Sequence, residues 1–498
     1  MKNDIVFHSV DLSDRTILQH YLDVAKKSGS FPEFCDYTFS TLYLWRHFFK
    51  AEWAVVDDFL VIRACCFGGD KRFYLQPLYV GETGAPNAKD AVGVKNSASL
   101  LPVLKACSEA EGETFRMAFL RSDFAETLNE NPDFYVYENR DYANYIYRSE
   151  TLSELAGRKL QPKRNHVHQF LAEYPDFQVR LLQKSDFAEA LELLERWEEG
   201  RKFENAVLNA EHDAIVDAFE HYDELGLEGL LLSVPEGEGY KTVAFCFGSA
   251  VTEKLFCTHI EKADPNCKNA FAMINKLMAD HLKGRFEFVN REEDLGEAGL
   301  RQAKLSYHPE QILDAWFLMD KRSDEYKIWK LWQEAFDDSD SFLASYMYPY
   351  STPDSRILFY EDGNPQNDIV AMCHVHYFES EFGLAAYLYA LAVSKKARGR
   401  GLGTIMVSKI LERAQSNGAK LLWAVQGNLN YNAWEHSLGF FAPQMDVSEL
   451  RFGSEFLQES FGVETGEPSD ERALVKCFDA ETEKAVRNAK PPFKLKFR

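Results

Sequence analysis

No run of apolar side chains in this sequence approaches the roughly 18 residues that a membrane helix needs, so no transmembrane segment is expected. The opening Met1-Lys-Asn-Asp-Ile-Val lacks the apolar stretch of a secretory signal. The nine cysteines, at 35, 65, 66, 107, 246, 257, 267, 373 and 477, include no C-x-x-C pair and no zinc-like spacing with histidine. Their number is odd, so they cannot all pair within the chain. Reduced thiols, a cytoplasmic setting and no metal are the expectation. Positive charge is also short: 56 lysines and arginines face 78 carboxylates, a net −22. That balance excludes bulk attraction to DNA or to an anionic membrane and leaves only local basic patches for such contacts. Neither a Walker A loop nor the dinucleotide G-x-G-x-x-G is present.

What is present is a chain of 498 residues, long enough for roughly two to four domains. Hydrophobic content of 46% and aromatic content of 14% suit folded cores. The most informative stretch is Tyr387–Gly403. A nearly uncharged strand ending in Leu391-Ala392-Val393 runs into a basic turn, Arg398-Gly399-Arg400-Gly401-Leu402-Gly403-Thr404. A helix follows, with Leu402, Ile405, Met406, Ile410, Leu411 and Ala414 at helical spacing. Strand, glycine turn and helix make a phosphate cradle: turn amides point at the anion, the helix dipole favours it, and glycine permits close approach. The plainer reading is a basic loop before an ordinary helix.

The pattern Arg398-x-x-Gly401-x-Gly403 resembles the acyl-CoA loop of GCN5-related N-acetyltransferases, the GNAT superfamily. Two more features carry the resemblance. Leu421–Val425 reads as a strand and leads through Asn428, Tyr431 and Glu435 to Gly439-Phe440. Upstream, Tyr326–Phe336 reads as a helix, and Arg356–Tyr360 and Ile369–Phe378 as strands. The resemblance implies acetyl-CoA as co-substrate and an amine as acceptor. Leu391, Ala392 and Val393 would line the pantetheine arm and the oxyanion. Residues 398–404 would hold the pyrophosphate, with Asn428 nearby. The family's thiolate donor is often a tyrosine four residues before the Gly of Gly-Phe; here that position is Glu435, with Tyr431 one turn earlier. Glu435 is read as acid or base, or as a plain surface glutamate. His374 and His376 are read as a base or as structural strand histidines.

Residues 1–320 form another large unit. Helices are expected at Leu12–Lys27 and Ser99–Glu111, an aromatic segment packs on a sheet over Phe34–Arg46, and Phe134–Glu138 and Ala143–Tyr147 read as a strand pair. The loop 81–98 is rich in small residues. The segment Arg158-Lys159-Leu-Gln-Pro-Lys163-Arg164-Asn165-His166-Val-His168 opens a helix yet carries no carboxylate between Glu154 and Glu173. An anionic partner explains cations near a helix start; a solvated face serves equally well. From 178 to 282 the pattern is strand, two helices, three strands and a helix. The turn at 262–269, where a CoA loop would fall, has no glycine, so standard acyl-CoA binding is not expected there. A strand and polar loop follow, with Asn290, Arg291, Asp294, Arg301, Lys304 and Tyr307. They grip an anion or brace one another by ion pairs.

Asp36…Phe39…Trp45, Lys163-Arg164-Asn165…Phe170, Glu261-Lys-Ala-Asp264 and Asn290-Arg…Asp294-Leu-Gly296…Gly299-Leu-Arg301…Lys304-Leu-Ser-Tyr307 together resemble the phosphatidylglycerol lysyltransferase C-terminal-domain family. The resemblance implies two tandem GNAT-like halves, and substrate contacts at Lys163, Arg164, Asn165, Asn290, Asp294, Arg301, Lys304 and Tyr307. Its relatives move aminoacyl groups from tRNA; this chain departs from the membrane synthases in having no transmembrane part.

The fold expected is α+β with mixed sheets: GNAT-like halves at 1–150 and 151–320, an acyl-CoA-binding GNAT domain at 322–445, and a tail at 446–498. The tail reads as a helix at Ser448–Phe461 and a basic extended end at 490–498 suited to an acidic surface of the same protein. The function expected is acyl-CoA-dependent N-acyltransfer, acetyl first, to a small-molecule or peptide amine. The alternatives are aminoacyl transfer from aminoacyl-tRNA by the N-terminal tandem, and a tandem that only binds.

Overall fold

The computed structural model describes residues 5–27, 29, 31–66, 69–81, 97–198, 206–362, 367–426, 431–443, 445, 447–452 and 472–497. The chain divides into two compact units, Met1–Lys321 and Arg322–Arg498. Most of the loop 81–98 lies outside the described residues.

The first unit holds two mixed sheets. In the first, the strands run His8–Ser9, Glu52–Val56, Phe59–Ala64, Phe73–Leu75, Arg116–Leu120, Trp316–Asp320 and Phe134–Glu138, with Leu78–Tyr79 also on Phe59–Ala64. The aromatic segment after Phe34 folds into short helices, Cys35–Tyr37, Phe39–Leu44 and Arg46–Phe49. The Tyr37 hydroxyl donates to the Phe119 carbonyl (3.0 Å) and accepts from the Gln76 amide (2.8 Å), pinning this segment to the sheet.

The second sheet runs Gln311–Leu313, Asn144–Arg148, Phe288–Asn290, Leu255–Ala263, Gly239–Ala250, Glu228–Glu236 and Gln178–Leu181. Its recurring elements are α1 (Gln161–Glu173), β1 (Gly239–Ala250), β2 (Leu255–Ala263), α2 (Ala270–Leu282), β3 (Phe288–Asn290) and α3 (Ala298–Leu305). Phe134–Glu138 and Asn144–Arg148 are not a pair, contrary to the pattern-based reading. A 3-10 turn at Arg140–Tyr142, with Asn139 at its start, carries the chain from the first sheet to the second. The chain returns at 314–315 to place Trp316–Asp320 in the first sheet. The Asn139 amide donates to the Ala315 carbonyl at 2.8 Å, which ties the two crossings together.

The second unit holds α4 (Asp324–Phe336), α5 (Asp340–Tyr350), β4 (Ile369–Ser380), β5 (Gly383–Val393), α6 (Leu402–Ser416), β6 (Leu421–Gln426), α7 (Tyr431–Leu438), β7 (Arg472–Cys477) and β8 (Phe493–Phe497). The sheet order is Leu450–Phe452, β8, β4, β5, β6, β7, with Arg356–Tyr360 also on β4. Helix α6 buries Met406, Val407, Ile410 and Ala414 against Ala371, Cys373, Ala386 and Leu422. Ile405, expected on that face, is 45% exposed.

One reading of the tail is corrected. Leu450–Phe452, expected within a helix, is a strand whose alternate side chains are buried; 453–471 lies outside the described residues. The basic end is a strand whose alternate apolar side chains are buried. Phe493 and Leu495 are 2% and 1% exposed while Lys494 and Lys496 point outward, and β8 pairs with both β4 and Leu450–Phe452. Strand β7 pairs along the whole of β6, from Leu421↔Cys477 to Gln426↔Arg472.

The tail is therefore structural. Leu474 is fully buried in the core under α6. Leu474→Ala is expected to cost about 2–5 kcal/mol, read as a lower urea midpoint and faster amide exchange across 421–426.

Candidate active site

Strands β5 and β6 run parallel and pair only from Ala385↔Leu421 to Leu388↔Ala424. Both continue beyond that point, β5 to Val393 and β6 to Gln426, without pairing. The backbone of residues 389–393 therefore faces a gap on the β6 side. The ladder between β4 and β5 is shifted at the same place, between the pairs His374↔Ala390 and Val375↔Leu388. Tyr389 is the extra residue. Such a bulge re-aims backbone and side chains at the mouth of the gap.

The glycine turn closes the end of this gap. Gly399 and Gly401 have left-handed backbones (φ +78° and +76°). Gly401 is the N-cap of α6 and offers no side chain to the amides of Leu402, Gly403 and Thr404, which the helix itself leaves unsatisfied. A Cβ added at Gly399, Gly401 or Gly403 would meet no protein atom within 4 Å, so the glycines keep space open outside the protein. The loop is anchored behind: the Lys395 amide donates to Glu334 of α4 (2.6 Å), and Lys396 pairs with Glu361 (2.8 Å). Arg398 donates to the Val393 carbonyl and Arg400 to the Lys396 carbonyl, at 3.2 Å each. Among the described residues no carboxylate pairs with either arginine, in a chain of net charge −22. The residues fit a diphosphate.

Asn428 lies outside the described residues, as does the side chain of Tyr431. Glu435 on α7 is ion-paired with Arg472 of β7 at 2.7 Å. His374 and His376 are 0% and 4% exposed on the face of β4 away from α6. The sequence reading missed what joins them. The Tyr346 hydroxyl, on α5, lies 2.9 Å from His374 Nδ1 and 2.8 Å from His376 Nε2. Its ring also packs on the bulged Tyr389, centroids 4.5 Å apart. Burial pushes His376 down to about 3 and holds the Tyr346 phenol well above its ordinary range, so both are neutral near pH 7.

The second half of the first unit repeats this geometry with different contents. Strand β2 pairs in parallel with β3 only from Leu255↔Phe288 to Cys257↔Asn290, then runs on to Ala263. His259 is the extra residue of a shift against β1, between Phe247↔Ile260 and Gly248↔Thr258. Asn269 takes the left-handed N-cap position of α2 (φ +66°) that Gly401 takes in α6. Its side chain is engaged by His166 (2.9 Å) and Gln169 (3.3 Å) of α1, which covers this helix start. An ion pair from Arg291, just beyond β3, to Glu261 on β2 (2.8 Å) bridges the parted strands.

The expected N-terminal contact residues fall into two groups. Lys163 lies 4.3 Å over the Tyr307 ring, beside Arg291. Burial, then the charge of Arg291, lowers the Lys163 pKa. The other group braces the fold. Arg164 turns inward onto the carbonyls of Leu155 and Gly157. Asn290 donates to Asn144 (2.8 Å), Arg301 chelates Asp294 (2.7 and 2.9 Å) and reaches Asp141 (2.6 Å), and Lys304 donates to the Arg291 carbonyl (2.6 Å). Asn165 is exposed.

A further polar cluster, unmarked in the sequence, lies where the halves meet. Glu292 Oε1 accepts from Cys257 Sγ (3.4 Å) and lies 2.9 Å from His259 Nδ1, and His259 Nε2 lies 2.8 Å from Ser249 Oγ. From the first half, Ser40 Oγ reaches Ser249 (2.7 Å), and Cys35 and Asp36 stand alongside. Burial works against a charged His259, but Cys257 and Glu292 outweigh it and raise the group to about 10. Burial and then the charge of Glu292 lift Asp36 to about 7 and Glu293 to about 8.

A strand that parts from its parallel neighbour, a bulge at the parting and a helix start beyond it occur in the second half of the first unit and again in the C-terminal domain. Residues 31–319 match the family described as phosphatidylglycerol lysyltransferase, C-terminal, and the chain belongs to that family. Residues 318–440 match the acetyltransferase (GNAT) family. A crystal structure of a conserved protein of unknown function from Bacteroides thetaiotaomicron is 32% identical, covering 64% of this chain and 100% of that one, with a TM-score of 0.56. The structure of L-PGS from Bacillus licheniformis is 13% identical over 62% of this chain and 93% of that one, with a TM-score of 0.42. An uncharacterized protein of Mycoplasmoides gallisepticum is 22% identical over 173 residues, 34% of this chain and 54% of that relative, so the chain spans about half its length. No described helix is long and apolar enough to cross a membrane.

The buried His376 gives a pH test. Its folded pKa of about 3 lies below its unfolded value of about 6.5, so the unfolded chain takes the proton first. Its full contribution to stability is present above about pH 6.5 and is lost as pH falls toward 3, by up to about 1.4 kcal/mol per pH unit. Histidine-selective NMR should show no protonation of His376 from pH 8 to 5, and His376→Asn should flatten the fall in urea midpoint over that range.

Proposed function

We propose that the C-terminal domain, 322–445, is an acyl-CoA-dependent N-acyltransferase, with acetyl-CoA as co-substrate and a small-molecule or peptide amine as acceptor. The observation that carries this reading is the coincidence of three features at one place. They are the open backbone of 389–393, a glycine turn with space above it, and two arginines that face no carboxylate among the described residues. The amides of Leu402, Gly403 and Thr404, with Arg398 and Arg400, hold the diphosphate. The free edge of β5 pairs with the amides of the pantetheine arm, and an N–H near Leu391–Val393 meets the oxyanion. When bound, the co-substrate supplies an activated thioester. The buried Tyr346–His374–His376 set fixes the bulge that aims this backbone.

Calorimetric titration of acetyl-CoA into the full chain tests the reading. One equivalent is expected to bind, and Gly403→Glu should weaken it at least about tenfold, near 1.4 kcal/mol. Gly403 is the cleaner site because its backbone is ordinary and its Cβ meets no protein atom. Gly401→Glu should also lose binding, with about 1–2 kcal/mol of backbone strain added. Absence of binding at millimolar acetyl-CoA would remove this function.

Family membership favours a second reading for the tandem: aminoacyl transfer from aminoacyl-tRNA. The exposed Arg158, Lys159 and His168 beside α1 would meet RNA phosphates. Affinity for tRNA should then fall steeply with salt and drop in Arg158→Glu/Lys159→Glu. Equal affinity in that variant would count against it.

A further inference from the structure

The cluster between the halves of the first unit has the donor set of a metal site. Cys35 Sγ, Cys257 Sγ and a Glu292 carboxylate oxygen all lie within 4.8 Å of one another. The two thiols are 4% and 0% exposed, and the glutamate side chain keeps 24% of its exposure. With zinc–sulfur at about 2.3 Å and zinc–oxygen at about 2.0 Å, a tetrahedral site spaces sulfur and oxygen by roughly 3.5 Å. Cys257 Sγ and Glu292 Oε1 are 3.4 Å apart. Glu292 is turned into this position by a left-handed backbone (φ +57°), with its amide held by Asn290 Oδ1 at 2.7 Å.

The surroundings suit a cation. Asp36 Oδ2 stands 3.7 Å from Cys35 Sγ. His259, bonded to Glu292 on one nitrogen and to Ser249 on the other, is placed as the outer partner that fixes a ligating carboxylate. We propose that Cys35, Cys257 and Glu292 bind one thiophilic divalent cation of the zinc class, which clamps the two halves of the N-terminal unit. Two soft thiolates with a carboxylate select zinc over calcium or magnesium. Two thiolates and a carboxylate carry three negative charges, so binding releases the thiol protons and tightens as pH rises. Three protein ligands leave a fourth position for water or for Asp36, and the partly open Glu292 side marks the way in.

The test uses the untagged, reduced full chain, stripped with a chelator and titrated with Zn²⁺ against a chromophoric competitor. One equivalent should bind and raise the melting temperature. Co²⁺ should bind in its place and give the near-ultraviolet thiolate-to-cobalt band, which needs no variant to read. Cys257→Ser and Cys35→Ser should each diminish the band and weaken cobalt binding, since each removes one of the two thiolates. His221→Ala should keep it, since Asp217, Glu220 and His221 form a separate cluster without thiols. A wild-type cobalt complex without the thiolate band, or a band unchanged in both cysteine variants, overturns the site. So does failure to bind Zn²⁺ at micromolar concentration.

Discussion

Where two parallel strands part, each loses its hydrogen-bonding neighbour, and the freed backbone groups need partners from elsewhere. Such partings lie in the second sheet of the first unit and in the sheet of the C-terminal domain, and much of their surroundings answers them. In the C-terminal domain β5 is left facing the gap, bulged at Tyr389, with the glycine turn at its end. In the second half of the tandem the equivalent gap is crossed by Arg291 and Glu261, and its helix start is covered by α1. One gap is the place proposed for a ligand's amides and phosphates. The other is filled by the protein's own charged side chains.

That difference explains the chemistry assigned to each. A helix start whose N-cap is Gly401 leaves its first amides without a side-chain cap. Asn269 offers the same backbone geometry, but its side chain is already held by His166 and Gln169. The second half shares the parted strands and left-handed helix start of the C-terminal domain, but side chains occupy them. Its polar groups instead converge deeper, around Glu292 and His259, at the seam with the first half.

Legibility from sequence followed the distance over which each feature is encoded. The strand, glycine turn and helix of 387–416 were readable because they are contiguous and the backbone demands them locally. The family motifs were readable for the same reason. Helix α5 was not, because its aromatics mark no single face and Pro349 sits near its end. With it went Tyr346, which joins two histidines that the sequence did show. The strands of the tail were short and charged, and only pairing with β4 and β6 gives them form. Cys35, Cys257 and Glu292 lie in three distant segments, and no spacing rule brings them together. For Asn290, Asp294, Arg301 and Lys304 two readings stood open, grip or brace, and the distances favour bracing.

The route of the chain through the first unit has a consequence for its birth. Trp316–Asp320 is not an edge strand; it lies between Arg116–Leu120 and Phe134–Glu138 in the first sheet. Trp316 pairs with Leu120, almost two hundred residues upstream. During synthesis, then, the first half cannot close its sheet until the whole second half has left the ribosome. Until that moment two strands stand apart with a vacant lane between them, exposed to any extended segment that passes. Assembly of this unit is governed by its last strand rather than its first, a slow and non-local step that leaves the nascent chain dependent on protection.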